Sequence, residues 1–355
     1  MNNDITEFLK EKKPEIDKML EKYLPRKLAG PVLESIFGRP RHKYDENALT
    51  NALSVPVWDF FDRGGKRIRP ALFMLTAEAL GGDLEKIKDF AVVVEFAHEG
   101  SIMIDDIEDL GELRRGRPCT HKLFGEDIAI NTGNFMYFVP LLVFMNHRDG
   151  FDDKTLLEAW HVFAQEMINI HAGQAMDIYW HKGKQESIGE AEYMQMCAYK
   201  TGCLTRMAAK LAAVLSGASE EQVEKLGKFA EMVGIGFQIQ DDILSANGSE
   251  FQDKKGYGDD ITEGKRTLIV IHALKNADEN DRKRLLEILG MHTRDKALIK
   301  EALGILAKKG SVDYARKKAA ELVSGAWKEV EPTIPDSKAK QRLKALADFL
   351  IKREI

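Results

Sequence analysis

The sequence has little cysteine, little proline and no excess of positive charge, and each shortage excludes a class of protein. Its 355 residues include three cysteines, too few for a disulfide framework, which favours a reducing cytoplasmic location. A count of 52 Lys and Arg against 57 Asp and Glu argues against a nucleic-acid partner. The longest apolar run is 135–145, whereas a membrane-spanning helix needs about 20 residues. We therefore predict a soluble cytoplasmic protein without a signal peptide or transmembrane segment.

The ten prolines rarely interrupt a 3.6-residue apolar periodicity that is typical of helices. Long helical patterns cover 87–107, 151–180, 220–244, 285–306 and 312–330. The one β-like string, 268–271, follows a helix-start signal and is predicted to be a buried helical turn. No linker rich in Pro, Gly or Ser divides the chain. We predict an all-α fold, with helices packed around a central one, in a single domain over 1–355.

Residues 1–48 form a predicted N-terminal helical extension of different composition. Leu9, Ile16, Leu20 and Leu24 make an apolar stripe on a helix rich in Lys and Glu. This pattern predicts an amphipathic helix packed on the core. A helix that binds a membrane surface or a partner protein is the alternative.

Paired aspartates end two of the apolar helical patterns. Asp105 and Asp109 are four residues apart, so a helix projects both carboxylates from one face. Asp241 and Asp242 end the second pattern. Buried carboxylates need a compensating cation, and hard oxygen ligands suit Mg²⁺. An acidic helix end in solvent is the alternative for either pair alone, but the two together predict metals held between opposite walls.

Basic residues occur in short clusters with glycine or threonine. These are Gly64-Gly-Lys-Arg-Ile-Arg-Pro70, Arg114-Arg115-Gly116, Lys200-Thr201-Gly202, Gly264-Lys-Arg-Thr267 and Lys255-Gly256. Arg offers forked donors and Lys a point charge, and both bind phosphate oxygens. Each cluster alone is typical of a solvated surface. Beside two aspartate pairs in an acidic protein, they predict a diphosphate site.

These motifs, in this order, resemble the trans-isoprenyl diphosphate synthases, the family of farnesyl and geranylgeranyl diphosphate synthases. The resemblance covers 64–267 and more weakly the remainder, and it includes Gly-Gln-x-x-Asp at 173–177 and Phe-Gln-x-x-Asp-Asp at 237–242. It implies an antiparallel helical barrel around a deep central cavity, commonly in a homodimer. It also implies a Mg²⁺-dependent prenyltransferase that condenses isopentenyl diphosphate head-to-tail (1′–4) with dimethylallyl, geranyl or farnesyl diphosphate.

The resemblance also assigns roles to residues. Isopentenyl diphosphate would be held by Lys66, Arg69, His98 and Arg115. About three Mg²⁺ ions would be held by Asp105, Asp106, Asp109, Asp241 and Asp242. The allylic diphosphate would be neutralised by Arg114, Lys200 and Lys265, with Thr201, Gln238 and Lys255 helping, while Gln174 and Asp177 orient these groups. The catalytic set would be Asp105, Asp109, Asp241, Lys200 and Lys265.

Two single positions keep a structural alternative. His98 lies two turns before Asp105 on the same helix face, which supports its role independently, although a lone histidine is more often a core side chain. Phe237 is placed to flank the allylic cation, but a core phenylalanine is the more common case. The proton lost in the reaction would pass to the departing diphosphate, so no protein base is required.

One departure from the family pattern leaves two other functions open. The fifth position of the second motif is Ser245, where the family has a carboxylate or Asn. A class I terpene cyclase has Ser at that position and Glu at the ninth, but here Glu250 comes one residue too late. The third reading is an inactive partner subunit, which would be expected to have lost an Asp motif or the cationic clusters. Incubation with allylic diphosphate alone separates a cyclase from a synthase.

Product length is predicted from the residues that precede Asp105. One isoprene unit is about as long as one helical turn, ~5.4 Å, so Gly100 and Ser101, then Ala97, would line the tail cavity. None is aromatic, and Phe96 should pack outward. We predict geranylgeranyl diphosphate, with a twenty-five-carbon product next. A facing helix could still supply a floor through Phe135, Met136, Phe138 or Met167.

Overall fold

The structure, a computed structural model, describes residues 2–185, 187–247 and 258–352. Helices account for nearly all regular structure in these ranges, so the all-α prediction is confirmed. The strands that they contain form one short antiparallel hairpin, β1 (Leu113–Arg114) and β2 (Arg117–Pro118), in which Leu113 pairs with Pro118. The sequence analysis missed this hairpin, because two-residue strands show no alternation.

The α-helices follow one another with short connections. They are α1 (Asn2–Tyr23), α2 (Pro31–Phe37), α3 (Glu46–Leu49), α4 (Val55–Asp62), α5 (Ile68–Ala79), α6 (Leu84–Ile87), α7 (Ala91–Glu108), α8 (Thr120–Phe124), α9 (Glu126–Phe138), α10 (Pro140–Asn146), α11 (Asp153–His181), α12 (Glu190–Cys197), α13 (Cys203–Leu215), α14 (Glu220–Asn247), α15 (Asp259–Thr262), α16 (Leu268–Asn276), α17 (Glu279–Gly290), α18 (Lys296–Lys308), α19 (Ser311–Val330) and α20 (Lys338–Lys352). Thr50–Ser54 and Ala198–Gly202 are π-helical, and Lys88–Phe90, Arg148–Gly150 and Glu331–Thr333 are 3₁₀ turns.

The residues pack into two compact units, each assembled from separate stretches of the chain. The first unit contains Met1–Phe163, Met207–Ser219 and Asp336–Leu343. The second unit contains Ala164–Arg206, Glu220–Pro335 and Lys344–Ile355. The single domain over 1–355 stays a prediction.

Helix α7 is the central helix of the first unit. It packs against α1, α5, α8, α9 and α10, and 11 of its 18 residues are buried. A helix that is apolar almost all round has to be enclosed by other helices. The predicted start of this helix at residue 87 is wrong, because a 3₁₀ turn at Lys88–Phe90 separates α6 from α7.

Helix α1 packs against α5 and α7 in the same unit. Its predicted stripe of Leu9, Ile16 and Leu20, with Leu24 just beyond the helix, is buried. The interpretation of this segment as a packing helix is therefore confirmed. Pro14 lies inside the helix without ending it.

Helix α14 has the central place in the second unit, where α12, α15, α16 and α19 pack against it. A Cβ atom at Gly236 would lie 2.9 Å from side-chain carbons of Val323 and Ile351, so glycine permits this close packing. The string 268–271 forms the first turn of α16, capped by the Thr267 hydroxyl, which accepts a hydrogen bond from the Val270 N–H. Its prediction as a helical turn is confirmed.

The predicted helix over 285–306 is wrong. The structure has two helices there, because α17 ends at Gly290 and α18 begins at Lys296. His292 has a left-handed backbone with φ of 48°, and the Asp295 side chain caps α18 by accepting from the Ala297 N–H. The apolar period continues across this turn, which is why periodicity alone did not reveal it.

One helical stretch in the described ranges, Glu126–Asn146, is long and apolar enough to cross a membrane by length and composition. Of its apolar window, 44% is buried within the protein. The absence of a transmembrane segment stays a prediction. All three cysteines are free and buried, and none forms a disulfide.

Candidate functional site

The acidic end of α7 carries the first predicted metal motif. The Asp109 N–H donates to the Asp105 carbonyl at 2.9 Å, so the two residues lie one helical turn apart on one face, and both are half-buried. The negative end of the helix dipole disfavours carboxylates there unless a cation compensates them. Carboxylate oxygens at a helix end suit a hard cation such as Mg²⁺.

The helix stops immediately after this motif. Leu110 takes a left-handed backbone with φ of 54°. Its N–H donates to the Ile107 carbonyl at 3.1 Å, and the Gly111 N–H donates to the Asp106 carbonyl at 2.8 Å. This is a Schellman ending with leucine in the position that usually holds glycine. It fixes the place where the acidic end of α7 meets the β1–β2 hairpin.

Asp106 differs from its two neighbours in the motif because it is buried, with 2% of its surface exposed. Its Oδ1 accepts from Arg114 Nε at 2.8 Å, which ties the helix end to β1. Arg114 is therefore half of an ion pair, and its role toward an allylic diphosphate stays a prediction. Cys119, buried against Gly111, has its thiol pKa raised to about 12 by burial and by the Asp106 carboxylate.

Three of the residues predicted to bind isopentenyl diphosphate lie together in the first unit: Arg69, His98 and Arg115. Burial and the charges of Arg69 and Arg115 are the largest causes that hold the pKa of His98 well below its usual range. A neutral imidazole at this place offers hydrogen bonds without adding charge. Lys66 is exposed on the loop before α5, where Gly64 and Gly65 have φ of 108° and 127°, a backbone that favours glycine.

A buried ionic network under that loop was missed by the sequence analysis. Arg67, which is 2% exposed, and Arg115 both donate to Glu99, and Arg67 also donates to Glu95 at 3.2 Å. Burial raises the pKa of Glu95 to about 7. The signal that could have revealed the network is the pair of glutamates, four residues apart in the apolar pattern of α7.

In the second unit, the Lys200-Thr201 motif lies in the π-helical segment Ala198–Gly202. Such segments are frequent at functional sites. Glycines allow neighbouring helices to reach its backbone: a Cβ at Gly173 of α11 would lie 2.2 Å from the Lys200 nitrogen, and one at Gly234 of α14 would lie 2.7 Å from Gly202 Cα. The glycine of the 173–177 motif is therefore explained by packing.

Hydrogen bonds connect the polar residues of this motif to both neighbouring helices. Lys200 Nζ donates to Asp177 Oδ2 at 2.5 Å, and the Thr201 hydroxyl donates to Gln238 Oε1 at 2.8 Å. Gln238 Nε2 in turn donates to Asp242 Oδ1 at 3.0 Å. The five predicted residues thus form two hydrogen-bonded sets, which meet at the adjacent residues Lys200 and Thr201.

Asp242 is buried, with 5% of its surface exposed, and burial raises its pKa to about 7, with Asp260 as the next cause. The Tyr193 hydroxyl donates to its Oδ2 at 2.7 Å. No sequence pattern pointed to Tyr193, because its contact is through space between α12 and α14. Asp241, its neighbour on α14, is half-buried.

The remaining predicted residues of the second unit are less fully described. Lys265 forms an ion pair with Glu263. Lys255 and Glu250 lie outside the described residues. Within 2–185, 187–247 and 258–352, no group of three or more His, Cys, Asp or Glu side chains is gathered as a metal site. The metal ligands stay predictions that fit Mg²⁺ by their donor chemistry.

The role of Gly100 in product length stays a prediction, and the space around this residue is crowded. A Cβ there would lie 2.9 Å from the Gly133 carbonyl oxygen and from Met136 Cβ, so Gly100 is the point where α7 crosses α9. A phenylalanine at this position would have to displace α9. Ser101 is half-buried and donates to the His98 carbonyl at 2.7 Å, so it stays a candidate.

The other candidates for the tail cavity differ in exposure. Ala97 is buried, and so is Phe96, whose ring packs edge-on against Phe61 of α4 with centroids 5.8 Å apart. Of the residues expected on the facing helix, Phe138 is 65% exposed. Tyr137 was not predicted, and burial together with Glu108 and Asp105 raises its pKa well above the usual range.

The remaining three residues expected on a facing helix are accounted for as follows. Met136 is buried at the crossing with α7, and Phe135 stacks on Phe37 with ring centroids 6.0 Å apart. Met167 lies on α11 in the second unit and is half-buried. None of the three is established as a floor.

Residues 50–306 match the protein family described as Polyprenyl synthetase. The chain is 37% identical to a short chain isoprenyl diphosphate synthase of Methanothermobacter thermautotrophicus over 82% of this chain and 87% of that protein. It is 36% identical to a geranylgeranyl pyrophosphate synthase of Geoglobus acetivorans, over 83% and 89%. The crystal structure of geranylgeranyl pyrophosphate synthetase from Pyrococcus horikoshii Ot3 superimposes with a TM-score of 0.85 at 32% identity, covering 99% of each chain.

Proposed function

The chain belongs to the polyprenyl synthetase family of prenyltransferases, which elongate trans-prenyl chains, and from this premise we propose that it makes geranylgeranyl diphosphate. It would do so by head-to-tail condensation of isopentenyl diphosphate with allylic diphosphates. The observation that carries the proposal is the link between the acidic end of α7 and the cationic loop 64–69: Arg114 binds Asp106, and the adjacent Arg115 binds the Gly64 carbonyl. The relatives of the chain carry synthase names. A cyclase has one diphosphate to bind and no need for the second cationic set.

Magnesium is part of the proposal. Asp105 and Asp109 in the first motif and Asp241 in the second would serve as ligands of Mg²⁺, about three ions in all, which when bound neutralise charge on a leaving diphosphate. Lys200 and Lys265 would add cationic charge to the same anion. The ions and the two lysines would stabilise the negative charge that develops on the leaving diphosphate.

The binding of isopentenyl diphosphate would depend on the cationic loop and the neutral histidine. Arg69 and Arg115 offer forked donors to phosphate oxygens, and Lys66 offers a point charge. His98 would add a hydrogen bond without repelling the arginines around it. No protein side chain is needed as a base, because the departing diphosphate can accept the proton.

The experiment that tests this function uses the purified chain, Mg²⁺, labelled isopentenyl diphosphate and farnesyl diphosphate, with the product sized after dephosphorylation. We expect a twenty-carbon alcohol. Hydrocarbon released from the allylic substrate alone would instead identify a cyclase. No product from the chain by itself, with product after addition of a partner subunit, would identify an inactive subunit.

We propose that product length depends on the small residues Ala97 and Ser101. Ser101→Phe should shorten the product, because an aromatic ring buries about 150–250 Å² and would compete with the prenyl tail for space. Gly100→Phe should instead lower stability, since the added ring meets α9. A wild-type enzyme that stops at farnesyl diphosphate would refute the length, and a twenty-five-carbon product would identify the alternative.

We also propose a soluble, cytoplasmic homodimer. Large apolar side chains are exposed on α9, α10 and the start of α11 in the first unit: Ile130, Phe138, Met145, Leu157 and Trp160. Exposed apolar sets of this kind mark interfaces, and a second copy would cover the part of 126–146 that is not buried. Phe138→Asp should give a monomer in sedimentation experiments, whereas the control Met291→Asp, on an exposed residue of the second unit, should stay a dimer.

A further inference from the structure

We propose that Asp17, on the N-terminal helix α1, is a positioning residue for the loop 64–69, which includes the first two residues of α5 and which would bind isopentenyl diphosphate. The inference rests on the proposed function, which assigns Lys66 and Arg69 of this loop to that substrate. It gives the N-terminal extension a part in substrate binding, through the buried side chain of Arg67.

Arg67 lies at the centre of the loop in an unusual conformation. It precedes α5 with φ of 51° and ψ of 43°, and 2% of its surface is exposed. A left-handed backbone is unfavourable for an L-residue, so surrounding contacts have to maintain it. The backbone of Arg67 sets the directions in which Lys66, immediately before it, and Arg69, two residues after it, leave the chain.

The guanidinium of Arg67 is bound on several sides. Its Nε donates to Asp17 Oδ1 at 2.8 Å, and its Nη1 donates to Glu95 and Glu99, both at 3.2 Å. Its Nη2 donates to the Phe61 carbonyl at 3.2 Å. Asp17 makes the shortest of the three carboxylate contacts and is the one acid of the three that does not come from α7.

The same network includes a second residue predicted to bind the substrate. Arg115 Nη2 donates to both oxygens of Glu99 at 2.9 Å, and its Nη1 donates to the Gly64 carbonyl at 2.8 Å. Arg67 Nη1 also donates to the Gly64 carbonyl, at 3.3 Å. Because the two arginines share Glu99 and Gly64, a displacement of Arg67 moves the start of the loop and the partner of Arg115 together.

Loss of the Asp17 charge should loosen this arrangement without unfolding the first unit. Glu95 and Glu99 remain to compensate the buried guanidinium, so no uncompensated charge is created. The Asp17 side chain is 30% exposed, so an amide in its place is solvated. The amide oxygen introduced by Asp17→Asn can still accept from Arg67 Nε, but the negative charge that strengthens this hydrogen bond is lost, which loosens the orientation of the loop.

The test compares wild type, Asp17→Asn and Asp17→Glu by equilibrium binding of isopentenyl diphosphate and by steady-state kinetics. For Asp17→Asn we expect KM and Kd for isopentenyl diphosphate to rise about 3- to 10-fold. The allylic KM and kcat should stay within about twofold. Asp17→Glu, which keeps the charge on a longer side chain, should fall between the two.

The matched control is Asp4→Asn. Asp4 is on the same helix and in the same unit, and it also binds an arginine, accepting from Arg342 Nη2 at 2.9 Å and from Arg342 Nε at 3.2 Å. Its loss should leave the isopentenyl diphosphate parameters unchanged. Equal effects of the two variants, or a parallel rise of both KM values in Asp17→Asn, would overturn the inference. If wild type makes no product, the proposed function fails, whereas the binding titration still decides the role of Asp17.

Discussion

Gly173→Ala is predicted to damage the site of the second unit by a collision that side-chain motion cannot relieve. The added Cβ would lie 2.2 Å from the Lys200 nitrogen, 2.6 Å from the Tyr199 carbonyl carbon and 2.7 Å from Lys200 Cα. All three are backbone atoms, so α11 and the π-helical segment must move apart by about 1 Å to restore ordinary contact. Over-packing of this kind costs about 1–3 kcal/mol.

The displacement should also reach the chemistry. Lys200 and Thr201 lie in the segment that has to move, and a misplacement of about 1 Å can cost about 100-fold in rate. We expect a lower free energy of unfolding in urea, a higher allylic KM and a lower kcat. The KM for isopentenyl diphosphate, whose predicted residues lie in the first unit, should change less.

A matched control is Gly325→Ala, a glycine-to-alanine change inside α19 of the same unit. Nothing lies within 4 Å of a Cβ built there, and its backbone φ is not positive. Because alanine favours helix over glycine by about 0.8–1.0 kcal/mol, this variant should be at least as stable as wild type. If Gly173→Ala matched it in both stability and allylic kinetics, the explanation of the 173–177 glycine by helix contact would be wrong.

Three further predictions follow from the two units. Asp105→Ala should lose orders of magnitude in kcat, and EDTA should abolish wild-type activity until Mg²⁺ is restored; wild-type rates with chelator would contradict the metal assignment. Arg69→Ala should raise the KM for isopentenyl diphosphate more than the KM for the allylic substrate, by a factor that corresponds to about 1–3 kcal/mol. Lys200→Ala should do the reverse. Equal effects on both KM values would refute the assignment of these cations to different substrates. The ion pair with Asp89 at 3.3 Å raises the pKa of His147 above 6.5, so the stabilisation of the fold by this pair is full below pH 6.5 and declines as pH rises through the raised pKa. His147→Gln should flatten the pH dependence of the free energy of unfolding, measured by urea titration from about pH 5 to about pH 9. An unchanged pH dependence in this variant would exclude the pair as its cause.

The sequence was informative wherever a property is carried by one helix. Periodicity predicted α14 and α19 to within a few residues, and the four-residue spacing of Asp105 and Asp109 placed them on one helix face, as the hydrogen bond between their backbones shows. Periodicity failed to predict a turn between two helices when both helices are equally apolar. The turn after Gly290 is an example, because both flanking helices continue the same period.

Contacts between helices could not be read from spacing. Gly100 was predicted from spacing to line a cavity, and spacing gave no sign that a Cβ there would lie 2.9 Å from the Gly133 carbonyl oxygen on α9. The contact of Tyr193 with Asp242 joins residues from two helices, and nothing near either residue in the sequence announces it. The glutamates beneath Arg67 were detectable in principle as charges inside an apolar pattern, but the partner that neutralises them could not be identified without the fold.

The buried cysteines have a practical consequence. A thiol whose pKa is raised to about 12, as at Cys119, carries almost no thiolate at neutral pH, and the thiolate is the form that alkylating reagents and peroxides attack. The intact protein should therefore resist both without added reductant. Cys119 follows the β1–β2 hairpin directly. The rate at which a thiol reagent labels Cys119 would therefore report how often this region opens locally, next to the acidic end of α7.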